Sequence, residues 1–301
     1  MKLRLEIEDC IALCYAAVVG ALYAAAYFQD DPVVRRDGPI FYYFLFPFLL
    51  VVLKEVFCYL FSEDMKISRF YIIFRDWFPF LLILSMYYSM YDGLNHFIVR
   101  TDQDALLASW DLHLFGCQPS AKLQDLVNVP YLTDWLSFCY FSFIFIPPLT
   151  AGYFYLKGMR LAFRMSMLGL VIIEFIGCFG YLALPAVGPL YAYKEWYTQP
   201  LYGSVLTDSV AYLHNLARLP RDCFPSLHTG ITALFYFFLW RYARVFFFLS
   251  TPIICSLWFS CMFLRFHYLV DVLAGFLLAV LIFLFEISYL EGYLRRRDSS
   301  L

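Results

Sequence analysis

Two stretches, residues 11–28 and 269–285, are apolar all the way round a helix and not along one stripe. A helix in water hides one face and wets the other, so a segment with no polar face needs a protein interior or a lipid one. Each stretch has the length that crosses the hydrocarbon of a bilayer. Composition extends this to the whole chain: 62% of the 301 residues are hydrophobic and only 15% charged, a richer apolar share than soluble domains carry. The predicted class is all-α, a polytopic transmembrane helical bundle. Met1 to Asp9 carries both signs of charge, and no small-residue cleavage site closes a short apolar core. The first run is therefore expected to be a retained span and not a signal peptide.

Apolar runs bounded by charge, Pro or Gly predict about eight spans, with six to eight compatible, at residues 11–29, 40–61, 70–91, 133–156, 163–184, 228–241, 244–264 and 268–290. The sixth is short, and only Arg241 to Arg244 separates it from the seventh, so those two should form a tight hairpin. Polar segments at 92–134 and 185–227 interrupt the bundle, and an even count places both on one side. Within the first, Leu106, Leu107, Trp110, Leu114 and Phe115 recur at helical spacing, with Asp104, Asp111 and His113 mostly between them. That pattern predicts an interfacial helix before the fourth span.

Lys and Arg concentrate in cytoplasmic linkers of membrane proteins. Lys2, Arg4, Lys66, Arg69, Lys157, Arg160, Arg164, Arg241, Arg244 and Arg295 to Arg297 fall on the side of the termini, and fewer basic residues, among them Arg35, Arg36, Arg100 and Lys122, fall opposite. Both termini are thus expected in the cytoplasm and the two polar segments on the outer (periplasmic, extracellular or lumenal) face. No repeat divides the bundle; residues 1–100 are read as N-terminal transmembrane helices, 101–290 as the core and 291–301 as a cytoplasmic basic tail.

A net charge of −2 argues against a nucleic-acid partner. The nine cysteines include no C-x-x-C pair and mostly sit inside apolar runs, where they pack as small apolar residues. Cys117 and Cys223 lie in polar segments on one side, which leaves a disulfide between them open. Lys54-Glu55 and Arg75-Asp76 read as structural or boundary pairs within apolar runs. His96, His113 and His214 read as interfacial hydrogen-bonding residues.

Chemistry concentrates in the last third. Arg221-Asp222-Cys223-Phe224-Pro225-Ser226-Leu227-His228 precedes the sixth span, and Arg265-Phe266-His267 with Asp271 opens the eighth. His267 and Asp271, four apart, share a helix face, where the carboxylate can hold one imidazole tautomer and support positive charge on it. Ser226 has the chemistry of an N-cap, and free N–H groups in the turn after it favour a phosphate. Connectivity brings both segments to the same membrane edge, which then holds a nucleophile, an acid and cations without a metal cluster. From the first polar segment, Asp111 and Asp134 are within reach of a substrate, Asp134 alternatively capping the fourth span.

These residues resemble the type 2 phosphatidic acid phosphatase superfamily of membrane lipid phosphatases and phosphotransferases, whose signature is K-x6-RP, PSGH and SR-x5-H-x3-D. Pro225-Ser226-Leu227-His228 matches the second motif with Leu for Gly, and His267 with Asp271 matches the core of the third. The first motif is absent: Lys194 is followed by Pro200 without an Arg-Pro pair, and Arg265 stands two residues before His267 instead of six. The departures resemble the branch with fungal inositol phosphorylceramide synthase, which carries PSLH and H-Y-x-x-D followed by Gly, as in His267-Tyr268-Leu269-Val270-Asp271 and Gly275. Trp110 to Gly116, Pro119 and Pro130 to Asp134 look like that branch too.

The resemblance covers roughly residues 104–285. It implies that His267 attacks phosphorus, Asp271 orients it, His228 protonates the leaving oxygen, and Arg265 and Ser226 hold phosphate oxygens. Arg221, Lys194 and Arg218, in that order, are candidates for the missing first-motif cations. No cofactor is implied; the expected partners are a membrane lipid phosphate and the bilayer. The reaction expected is transfer of a phosphate-containing headgroup, such as phosphoinositol, to an alcohol such as a ceramide, or hydrolysis of a lipid phosphate. A lipid transporter or scramblase is the contrasting class; it needs a polar route across the bilayer, whereas the strong polar residues lie at one edge.

Overall fold

The computed structural model describes residues 5–29, 45–61, 65–89, 93–126 and 128–298. Among them the chain is helical, with no strand. The main helices are α1 (Ile7–Phe28), α2 (Leu45–Phe61), α3 (Met65–Ser89), α4 (Asp104–Phe115), α5 (Pro130–Phe141), α6 (Ile146–Leu156), α7 (Arg160–Ala183), α8 (Val205–Ala217), α9 (Leu227–Tyr242), α10 (Arg244–Phe263), α11 (Leu269–Phe285) and α12 (Glu291–Asp298). Residues 40–44 of the predicted second span lie outside the described part, as do Lys2, Arg4, Arg35 and Arg36.

Among the described residues, four helices are long and apolar enough to cross a membrane: α1, α7, α10, and Leu269–Arg296, which runs from α11 through a π turn into α12. The predicted fourth span is not one straight helix. It is α5 and α6, bent by 52° across Ser142–Ile144, and the pair would make a fifth crossing. Pro147 and Pro148 explain the break, since each lacks an N–H and its ring clashes with the carbonyl one turn back, so the earlier helix must end first. The count of about eight also included α2, α3 and α9. These form where expected; α2 has 17 residues in the described part, α9 has 16, and α3 carries Lys66, Arg69, Arg75 and Asp76.

Helix α7 is the axis of the bundle. Of its apolar window 72% is buried in protein, against 22% for α10. On one side it packs against α1 and α3, on the other against α9, which in turn lies along α11. Glycines permit these approaches, as in membrane helix packing generally. A Cβ on Gly275 of α11 would lie 2.2 Å from the Ser226 carbonyl oxygen, and one on Gly180 of α7 would lie 2.3 Å from Pro225 Cδ. The Pro225–Leu227 turn is therefore seated backbone to backbone between α7 and α11.

Helix α4 forms where the spacing predicts it, with Leu112 and Leu114 exposed. Its inner face differs from the expectation: Asp104 and Asp111 are buried beside Leu107 and Ala108. Asp134 does not cap its own helix; it accepts hydrogen bonds from Ser204 N and Thr207 Oγ1, both at 2.8 Å, and so ties α5 to the start of α8. Arg75 pairs with Asp76, as expected, and Lys54 pairs with Glu55 and, more closely, with Asp9 of α1.

Candidate active site

The path to His267 begins where α10 ends. Arg265 N donates to Met262 O at 2.9 Å and Phe266 N to Cys261 O at 3.1 Å, the paired bonds of a Schellman turn. Such a turn puts a residue in the left-handed region, usually Gly; here Arg265 occupies it at φ 69°, at a cost of about 1 kcal/mol or more. The chain then reaches His267, Tyr268 as the N-cap, and α11.

Asp271 sits in the first turn of α11, and its Oδ2 is crowded with donors. His267 Nδ1 approaches it at 2.8 Å, Cys223 Sγ at 3.1 Å and Tyr268 N at 3.2 Å. One carboxylate thus caps its helix and orients the imidazole. Its other oxygen, Oδ1, is buried with no hydrogen-bond partner among the described residues. Asp111 supplies a second cap from α4, accepting from Leu269 N at 3.0 Å and Val270 N at 2.8 Å. Asp104 accepts from Val187 N, Gly188 N and the Tyr268 hydroxyl. Burial pushes the carboxyls of Asp104 and Asp111 above the usual range, against these backbone N–H groups.

His228 lies in the first turn of α9, capped by Ser226, whose Oγ accepts from Thr229 N at 3.4 Å. Its Nδ1 is 3.3 Å from His267 Nε2. Its Nε2 is 3.0 Å from the Tyr140 hydroxyl of α5, and that hydroxyl is 3.0 Å from Nδ1 of His214 in α8. The Tyr140 and His228 rings stack at 4.7 Å. One line of polar contacts therefore runs from Asp271 through both histidines to Tyr140 and His214. For His267, burial opposes protonation, but the charge and hydrogen bond of Asp271 outweigh it and raise the pKa above the usual value. His214 goes the other way, lowered to about 3 by burial, with His267 and Arg218 adding to it.

The structure brings His267, His228, Asp271 and Ser226 together as expected, while the cations differ in placement. Arg221 is only 2% exposed; its Nε donates to Asp102 at 2.7 Å, and both terminal nitrogens are buried without a partner among the described residues. Arg265 donates to Gln199 O at 2.6 Å and lies over the Tyr197 ring, leaving its buried Nε without a partner among the described residues. Lys194 is exposed on a short turn. Arg218 is spent on Val187 O, Pro220 O and the Tyr191 ring. Cys117 and Cys223 are both free thiols, which closes the disulfide left open above, because Cys223 points at Asp271. Cys223, His267 and Asp271 offer donor atoms within 4.8 Å of one another, close enough to hold a metal ion.

Tyr140, His214 and Cys223 are neighbours that sequence reasoning missed. Tyr140 carries no local signal within its apolar run, and His214 looks like any interfacial histidine. Only Cys223, two residues before Pro225 in a polar segment, had a position that pointed to the site.

The apolar helical bundle holds a carboxylate-oriented histidine against a second histidine. The chain belongs to the PAP2 superfamily, whose family model matches residues 106–285. That stretch contains both histidines, Asp271 and Tyr140. No curated protein and no solved structure matches the chain. It is accordingly an integral membrane enzyme of the phosphatase type, suited to lipid phosphates.

Proposed function

We propose that this enzyme moves a phosphate-containing headgroup from a membrane lipid to an alcohol through a phosphohistidine on His267. The observation that carries the reading is the line Asp271, His267, His228. Asp271 accepts the Nδ1 proton, so His267 keeps its lone pair on Nε2, the atom that faces His228. Nε2 forms a bond to phosphorus, the bond from phosphorus to the leaving oxygen breaks, and His228 gives that oxygen its Nδ1 proton. In the second half His228 takes the acceptor's proton, the acceptor oxygen bonds to phosphorus, and the bond to Nε2 breaks. The donor phosphate enters by parting the contact between the two rings.

Tyr140 supports the acid form of His228. Its hydroxyl donates to His214, held neutral, and its oxygen is then an acceptor for Nε2–H of a protonated His228. The phosphate oxygens fall to Ser226 with the N–H groups that open α9, and to Arg221 and Arg265, with Lys194 at the exposed rim. Buried guanidinium nitrogens without partners cost free energy unless an anion meets them. Arg265 in a position that favours glycine supports the same assignment.

Pro225-Ser226-Leu227-His228 and His267-Tyr268-x-x-Asp271, with the loop Trp110 to Gly116, favour phosphoinositol as the group moved and a ceramide-like alcohol as acceptor. Lipid phosphate hydrolysis is the same chemistry with water as acceptor. We place the site on the outer face, the termini in the cytoplasm, and the helices of residues 1–100 outside the catalytic core. The test incubates purified enzyme and its His267→Ala variant with labelled phosphatidate or phosphatidylinositol, with and without inositol or ceramide, in chelator. Wild-type turnover in chelator and its loss in the variant are expected; equal turnover in both would sink the mechanism. The products separate transferase from hydrolase.

A further inference from the structure

The thiol of Cys223 has no part in that chemistry, yet it sits at the centre of the site. With His267 and Asp271 it makes a compact donor set: Sγ to Oδ2 3.1 Å, Sγ to Nδ1 3.8 Å, and Nδ1 to Oδ2 2.8 Å. A tetrahedral zinc site with bonds of about 2.3 Å to sulfur and about 2.0 Å to nitrogen and oxygen has ligand separations of roughly 3.3–3.5 Å. Each separation here is within about half an ångström of that geometry. All three residues are buried, at 3%, 4% and 0% exposure. The fold holds them in place: Cys223 N donates to Ala186 O at 3.1 Å, and Asp271 is fixed by Tyr268 N. Asp271 Oδ1, buried without a partner among the described residues, is a further oxygen for the same ion.

We propose that Cys223, His267 and Asp271 form an inhibitory site for a thiophilic divalent cation, of which Zn2+ is the type. Thiolate, imidazole and carboxylate together suit zinc and disfavour Mg2+ or Ca2+, which take all-oxygen shells. The inference rests on the reading of His267 as nucleophile, because of where the protons go. Before binding, Cys223 carries S–H and donates it to Asp271, and His267 carries Nδ1–H. The metal takes Sγ and Nδ1, so the thiol proton leaves and the Nδ1 proton passes to Nε2. Nε2–H then faces His228 Nδ1. His267 then has no lone pair with which to attack phosphorus. The ion also takes the Asp271 oxygen that oriented the ring.

The experiment uses full-length enzyme in detergent, stripped with chelator, then titrated separately with Zn2+ and Co2+. Zn2+ is expected to abolish turnover reversibly, with chelator restoring it, while Mg2+ at the same concentration does nothing. Scored against its own metal-free rate, Cys223→Ser is expected to need at least about tenfold more Zn2+, since a hydroxyl is a poor zinc ligand. The Co2+ form of the wild type should show a thiolate-to-cobalt charge-transfer band that Cys223→Ser lacks. Equal Zn2+ sensitivity in both proteins, or no such band in the wild type, overturns the site. The band needs no turnover, so a wild type that shows it while His267→Ala remains fully active would leave the metal site standing and defeat the phosphohistidine reading alone.

Discussion

At the residue scale, the protons between Asp271 and His214 determine what the site can do. In the proposed mechanism His267 attacks only when Nε2 is unprotonated, and Asp271 raises its pKa above the ordinary 6.5. The rate at limiting substrate is therefore expected to rise with pH through a value above 6.5. Asp271→Asn removes the charge that raises it. That variant should move the limb to lower pH and lower kcat by about 10³–10⁴-fold, as when an orienting carboxylate is lost from a triad; a pH profile of kcat/KM for both proteins reads this. Tyr140→Phe leaves the ring stacked on His228 but removes the hydroxyl between it and His214. It should reduce kcat by about 10–100-fold with little change in KM, because the acid is affected and substrate binding is not. The four-residue spacing of His267 and Asp271 and the Ser226 cap were legible in sequence because they are local. Tyr140, 88 residues from His228, and Cys223, 48 from Asp271, were not, since such contacts exist only after the helices pack.

At the scale of elements, the site depends on how α9 and α11 meet. Their contact passes through Gly275, whose missing side chain leaves room for the Ser226 carbonyl. Gly275→Ala would put a carbon 2.2 Å from that oxygen and must separate the two helices. The expected cost is about 1–3 kcal/mol, seen as a lower melting temperature in detergent, with a fall in kcat because His228 moves from His267. The apolar runs marked the positions of the helices, but not the bend between α5 and α6. Tyr140 lies just ahead of that bend, one residue before α5 ends. Pro147 and Pro148 were visible in the sequence and mark where a helix must restart, but prolines at a helix start are common and carry no angle, so the 52° was not legible. In α4 the same pattern that marked an amphipathic helix concealed its polar contribution: Asp104 and Asp111 look like the wet side of a surface helix and serve as buried caps for other segments.

For the whole molecule, the four or five apolar crossings place the chain in the membrane, and the orientation proposed from basic linkers puts both termini in the cytoplasm. A tag on the C-terminus should be protected from protease in intact cells and cleaved after permeabilisation; cleavage in intact cells would turn the molecule over. The glycine contact at the ends of α9 and α11 also has a mechanical meaning. Where two helices touch main chain to main chain they have least room to slide, so relative displacement is smallest there and grows with distance from the contact. A thinner or thicker bilayer is accommodated by tilt, and here the tilt has its pivot beside the histidines. On that expectation the two histidines lie where the helices move least against each other, and the far ends of the helices take up the mismatch.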